Sequence, residues 1–168
     1  MLENYLVDKL LNVMEEEAKI FLDYLDLSQK KKDVLINENI AVLESITNTE
    51  KDMAERLGKL EKEREKIIEE LAVQANLKST ELTVSSIMEK VDRSRRERLE
   101  TARNTIKDTV EKIKEANKIN ESLINNALEY INFSVNLLTS LNNSTVKYGK
   151  DGKVQKEMNN RSLFDVKL

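Results

Sequence analysis

The side chains able to do chemistry in this sequence are carboxylates, lysines and arginines, because its 168 residues include no histidine and no cysteine. Without imidazole or thiolate groups, the chain lacks the usual general bases, nucleophiles and zinc ligands. Carboxylates alone can hold Mg²⁺ or Ca²⁺, but the sequence contains no Asp-x-Asp-x-Asp-Gly loop. We therefore expect no catalytic residue, no metal site and no cofactor.

Five arginines lie between Arg93 and Arg103 and raise the question of nucleic-acid binding. Acidic residues are interleaved with them, namely Glu89, Asp92, Glu97 and Glu100. No aromatic side chain is near to stack on a base, and the net charge of the chain is -3. We therefore interpret the cluster as a solvated, salt-bridged surface and do not expect nucleic acid as a partner.

The elements that would position any site are helices. Charged residues make up 35% of the chain and aromatic residues 4%, and proline is absent, which is typical of long helices or a coiled coil. Apolar residues recur at spacings of three and four in the first 36 residues, and a strict period of 3.5 runs from Leu43 to Leu71. We predict four helices, over about residues 2–36, 39–74, 83–91 and 94–141.

These helices predict an all-α fold. The expected architecture is an elongated antiparallel helical hairpin or a bundle of three long helices with coiled-coil packing, together with one short helix. We predict a helical bundle over residues 1–143 and a flexible C-terminal tail over residues 144–168, because the last stretch has no helical period that could bury much surface.

Polar residues mark the helix ends and interrupt the apolar period. Asn39 is expected to be the N-cap of the second helix, and Ser94 with Glu97 has the spacing of a capping box at the start of the last helix. Glu50 and Arg64 occupy apolar positions of the second helix's period. Because long charged side chains at such positions usually reach out of a thin core, we expect them to extend into solvent.

The last helix loses nearly all charge after Glu129, while its apolar residues spread around more than one helical face. Such a surface either is buried on several sides by the bundle or offers a groove to a partner helix. From the residues alone, burial is the preferred interpretation.

No apolar run approaches the roughly 20 residues that a membrane span requires. The first residues, "MLENYLVDKLLNVMEEEAK", are acidic by residue 17, where a signal peptide would be small and apolar. The absence of cysteine fits a reducing compartment. We expect a cytoplasmic protein without a membrane span.

Three stretches of the sequence are more specific than its general helical pattern. They are "KKKDVLINENIAVLESITNTEKDM", the asparagine-spaced "NKINESLINNALEYINFSVNLL", and a closing "YGKDG" followed by a polar tail. In this order, and over nearly the whole chain, they resemble the FlgN family of flagellar type III export chaperones.

This resemblance implies a protein that binds hook-filament junction (hook-associated) proteins, its clients. It would shield their terminal helices from premature assembly and hand them to the membrane export gate. The uncharged end of the last helix would cover the apolar stripe of a client helix. The expected client-binding residues are Leu128, Ile131, Val135, Leu138 and Leu141.

The tail has two candidate roles. By its match to the family's "YGKDG" element, Tyr148 would dock to the cytosolic domain of the export gate, and Gly149 and Gly152 would release the chain from the helix. A second cluster is apolar enough to be a short motif that folds onto a client or onto the chaperone itself, and its residues are Leu163, Phe164 and Val166. The main alternative is a structural or regulatory coiled-coil adaptor that self-associates, and a homodimer is left open.

Overall fold

The computed structural model describes residues 4–78 and 81–143, with the side chains of the last helix described to Ser140. Four helices and no strand occur in this part of the chain. They are α1 (Asn4–Ile36), α2 (Ile40–Ala75), α3 (Val84–Met88) and α4 (Arg93–Asn143). The predicted all-α helical bundle is confirmed. The predicted start of the first helix lies outside the described residues, and the other predicted helix ends lie within three residues of the observed ones.

The chain divides into two compact units, Met1–Leu123 and Ile124–Leu168, called unit 1 and unit 2 below. Unit 1 holds α1, α2, α3 and the first part of α4. The described part of unit 2 is residues 124–143 of α4. Residues 144–168 lie outside the described part, so the predicted tail stays a prediction.

The helices α1 and α2 form an antiparallel hairpin. Lys31 contacts Glu50, and Glu17 contacts Arg64, so later positions on α1 meet earlier positions on α2. At the turn, the side chain of Asn39 accepts a hydrogen bond of 3.2 Å from the backbone N–H three residues on. The predicted N-cap of α2 is therefore confirmed.

The start of α4 differs from the prediction. The Oδ1 atom of Asp92 accepts the backbone N–H three residues on, at 3.1 Å, and so caps the helix. Ser94 and Glu97 lie inside α4, so the predicted capping box is wrong: Asp92 is an equally good N-cap residue that precedes them. A capping box does occur at α3, where Thr83 and Ser86 exchange hydrogen bonds.

The helix α4 runs beside α1 in the same direction within unit 1. The contacts between the two helices ascend along both of them, joining Asp8 to Arg95, Glu15 to Arg98 and Ser28 to Asn120. In the last of these, the Asn120 side-chain amide donates to the Ser28 carbonyl oxygen at 2.8 Å, in a buried setting. The long helix α1 therefore packs against both α2 and α4.

The core of unit 1 lies around the first half of α1. Leu10 is fully buried, and one residue from each other helix is equally buried beside it, namely Leu71, Ile87 and Leu99. The spacing of apolar residues in the sequence predicted only one buried stripe on α1. The structure also buries Val7, Leu11, Met14 and Ala18, because α1 has two long neighbours and not one.

The charged residues within the α2 period pair with α1. The Nε atom of Arg64 lies 3.1 Å from Oε1 of Glu17, whose exposed fraction is only 5%. Lys31 Nζ lies 2.8 Å from Oε2 of Glu50. The prediction that Glu50 and Arg64 extend out of the core is therefore wrong. Because α1 places an opposite charge at each facing position, pairing offsets part of the desolvation cost.

Burial raises the pKa of the Glu17 carboxyl, and the charge and hydrogen bond of Arg64 oppose that rise. A carboxyl whose folded-state pKa lies above its unfolded value stabilises the fold at low pH. That contribution is lost as the pH rises through the folded-state pKa. Removing the arginine should raise this pKa further and make the ionised form more costly.

We accordingly expect Arg64→Met to lower the free energy of unfolding by about 1–3 kcal/mol at pH 7, and by clearly less at pH 5. Urea denaturation at both pH values measures the difference. Arg56→Met is the matched control, because Arg56 lies 3.6 Å from Glu16 in a pair that is more than half exposed on both sides. An equal loss at both pH values would show that Arg64 acts through the packing of its alkyl chain alone.

Candidate functional site

The part of α4 in unit 2 exposes most of its large apolar side chains. Their exposed fractions run from 40% to 73%. They are Leu128, Tyr130, Ile131, Phe133, Val135, Leu137 and Leu138. The preference for burial by the bundle, which came from the residues alone, is therefore wrong for this described stretch. The described residues do not bury these side chains on several sides.

The same helix behaves differently in unit 1. There the apolar residues of α4 that face the core are covered, and Leu99, Ala102 and Ile113 are exposed by no more than 9%. The apolar residues of α4 that are buried therefore belong to unit 1, and those of unit 2 are mostly exposed.

Two apolar stripes run along α4 in unit 2. Stripe A consists of Leu128, Ile131, Val135 and Leu138, which are exposed, together with Ile124, which is partly buried. Stripe B consists of Tyr130, Phe133 and Leu137. Their mean directions differ by about 145° around the helix axis, at 3.6 residues per turn. A single neighbouring helix cannot cover both.

The surface formed by stripes A and B carries no charged side chain. No charged residue occurs from residue 130 to residue 143. The hydroxyls of Ser134 and Thr139 donate to carbonyl oxygens of their own helix, at 2.9 and 3.0 Å. Because these groups already have acceptors, covering them with an apolar partner costs little. The remaining sector of the helix carries asparagines, including Asn132 and Asn136.

The structure brings most of the predicted client-binding residues together. Leu128, Ile131, Val135 and Leu138 all lie on stripe A and are exposed. Leu141 belongs to α4, but its side chain is outside the described part. The predicted tail residues also lie outside the described part of the chain, namely Tyr148, Leu163, Phe164 and Val166.

Sequence reasoning missed stripe B as a site. Tyr130 is the most exposed of the large apolar side chains on this part of α4, and Phe133 follows it at 66%. The signal was present in the sequence, since these residues lie on the side of the helix away from Val135. The sequence pattern does not reveal which faces of α4 are covered, however, so it did not assign these residues to a partner.

The arginine cluster forms a salt-bridged surface, as predicted. Acidic side chains on α1 or near the start of α4 pair with three of the arginines, joining Arg93 to Glu97, Arg95 to Asp8 and Asp92, and Arg98 to Glu15. The hydrogen bond from Arg95 lowers the pKa of Asp8. Arg96 donates to the carbonyl oxygen of Met88. Most of these cations are therefore engaged within the protein.

Unit 1 also has shallow grooves with charged rims. One of about 430 Å³ lies between α1, α2 and α4, and its lining includes Phe21, Leu57 and Ile106 beside Arg103 and Lys107. Among the described residues, no three acidic side chains are grouped to hold a metal ion. Nor does any helix in that part of the chain have the length and apolarity needed to cross a membrane.

An exposed apolar helix surface without charge is typical of proteins that bind other proteins through helix packing. The chain matches the family described as FlgN protein over residues 1–156. It therefore belongs to the FlgN family, the family of flagellar export chaperones, and the resemblance noted in the sequence is confirmed. Searches of curated proteins and of solved structures found no significant match.

Proposed function

We propose that this protein is a cytoplasmic flagellar export chaperone for hook-filament junction proteins. It binds the terminal helical segments of these clients, prevents their premature assembly and delivers them to the type III export gate. The observation that carries this proposal is the exposed stripe A of α4 in a member of the FlgN family. Function requires binding and release alone, without catalysis, metal or nucleotide.

Apolar burial supplies the affinity in this mechanism. A client segment that forms helix contacts in the assembled filament has an apolar stripe of its own, which stripe A would cover in the manner of a helix packed into a groove. Because α4 carries no charge from residue 130 onward, recognition here depends on shape and apolar area. Such a contact is reversible, so the export machinery can compete for the client.

The test is gel filtration of the protein mixed with the terminal helical segment of a hook-filament junction protein. We expect a discrete complex of low stoichiometry at concentrations on the order of 50 μM, which exceed the Kd of an ordinary specific complex. Separate elution of the two components would contradict the chaperone function. If the protein alone elutes as an oligomer and ignores the client, the self-associating adaptor is the better description.

Docking to the export gate is assigned to Tyr148. We expect Tyr148→Ala to weaken binding to the cytosolic domain of the gate about tenfold or more, since an aromatic anchor commonly dominates a small interface. Client binding should not change. Lys147→Ala is the control for the neighbouring position, and surface plasmon resonance measures both contacts. Equal gate binding by the Tyr148 variant and the unchanged protein would exclude this role.

The rest of the tail is tested by ending the chain after Asn143. We expect helicity and thermal unfolding to stay almost unchanged, because the fully buried core residues of the described part all lie within the first 123 residues. The motif of Leu163, Phe164 and Val166 would then act on a partner and not on the fold. A large loss of helicity would assign the tail a structural role.

A further inference from the structure

We propose that α4 in unit 2 binds two helices of one client molecule, one on stripe A and the other on stripe B. The helix and its cargo would then form a three-helix bundle with α4 as one member. This inference rests on the proposed chaperone function and goes beyond it, because it assigns stripe B and fixes the number of client helices.

The width of the apolar surface is the first argument. One packed neighbour covers an apolar stripe about 100° wide. In unit 2, the uncharged arc that begins at Phe133, passes Tyr130 and Ser134, and ends at Leu128 spans roughly 220° at 3.6 residues per turn. Two neighbouring helices are therefore needed to cover it.

The side chain between the stripes is the second argument. Ser134 lies between the two stripes on this arc, and its hydroxyl donates to the carbonyl oxygen of Tyr130 at 2.9 Å. Since its donor is satisfied within the helix, the boundary between two client helices can close over it without an unpaired donor. The opposite side of α4, with Asn132 and Asn136, keeps free amide groups that suit solvent.

The available area decides between one partner and two. Tyr130 and Phe133 are exposed by 73% and 66%. Together with Leu137 they offer a partner an exposed apolar area on the order of 400 Å², because a fully buried aromatic side chain covers roughly 150–250 Å². A specific interface buries about 800 Å² on each partner. Stripe B alone is thus too small for a stable contact. The exposed residues of stripe A add a similar area, so the two stripes together reach that size.

A second copy of this chain fits the surface less well. The described part of unit 2 consists of one helix, and one helix covers only one of the two stripes. A client that contributes two helices covers both at once and makes them a single interface. This is why we assign both stripes to the same client molecule.

The experiment is site-specific photo-crosslinking in the full chain, mixed with a full-length hook-filament junction protein. The photoreactive residue p-benzoylphenylalanine replaces Ile131 on stripe A, Phe133 on stripe B, or Asn136 in the polar sector as the control. We expect the first two positions to crosslink to two different helices of the client, identified by mass spectrometry. The Asn136 position should give at most a tenth of their yield.

Any of four results would overturn the inference. Both stripes could crosslink to the same client helix, or Phe133 could crosslink to a second copy of the chain, or it could crosslink to residues 144–168 of its own chain. A complex that forms without any client crosslink at Phe133 would likewise refute the two-helix arrangement while leaving the chaperone function intact. If the unchanged protein forms no complex with the client, the proposed function itself fails.

A pair of variants supplies an independent measurement. We expect Phe133→Ser with Leu137→Ser to weaken binding of the full-length client at least tenfold in isothermal titration calorimetry. A client fragment that holds only the helix crosslinked to stripe A should bind more weakly than the full-length client, and equally to this variant and to the unchanged protein. Equal binding of the full-length client by both proteins would contradict a role for stripe B.

Discussion

Replacing Leu10 with alanine should lower the free energy of unfolding by about 3–5 kcal/mol. Leu10 is fully buried in unit 1, in a core cluster to which all four helices contribute. The loss combines the transfer free energy of the removed atoms with the cost of the cavity that remains. Because alanine is the best helix former, the helix α1 itself is not weakened by the change. Urea denaturation followed by circular dichroism at 222 nm measures the effect.

Leu22→Ala is the matched control, since it makes the same substitution in the same helix. Leu22 is 49% exposed, and we expect its loss of unfolding free energy to stay below about 1 kcal/mol. If the two variants lose equal stability, the core does not lie where the structure places it.

How far the sequence predicts this core is visible in α1. The spacing of Leu6, Leu10 and Val13 was sufficient to predict one buried stripe. A helix's own period does not reveal how many neighbours it has, so Val7 and Leu11, which are also fully or nearly fully buried, were not assigned. The second buried stripe of α1 is explained by the presence of α4 beside it, which only the structure shows.

The N-cap of a helix was predictable where a single polar residue decides where the helix begins. Asn39 caps α2 as predicted, because it is the last polar residue before the apolar period of that helix begins. The pattern at Ser94 failed because Asp92, two residues earlier, competes for the same role. For Arg64 the sequence could not identify Glu17 as the partner, since 46 residues separate them and pairing depends on the hairpin register.

The sequence predicted where the candidate site lies on α4, but not whether its side chains are exposed or buried. Stripe A was identified from its lack of charge and from the family resemblance, and Leu128, Ile131 and Leu138 are exposed there. An apolar helix face has the same sequence pattern whether its own chain or a partner covers it. Only the structure, in which this face is open, could distinguish the two.

The second large effect is expected from a charge placed on that open face. Val135 is 40% exposed in the free protein, and the proposed function buries it against a client helix. Val135→Asp should therefore weaken client binding about 100-fold or more, equal to about 2.7 kcal/mol, because the carboxylate would lose its hydration without gaining a partner. Isothermal titration calorimetry with the client's terminal segment measures the change.

The adjacent residue supplies the control, because Asn136→Asp adds the same charge to the same turn of α4. Asn136 lies about 100° further around the helix, in the polar sector, where water still reaches it in the complex. We expect its affinity for the client to change less than threefold. Because both positions are at the surface of the free protein, both variants should keep the helicity and unfolding of the unchanged chain. Equal loss of affinity in the two variants would mean that net charge, and not the apolar face through Val135, governs client binding.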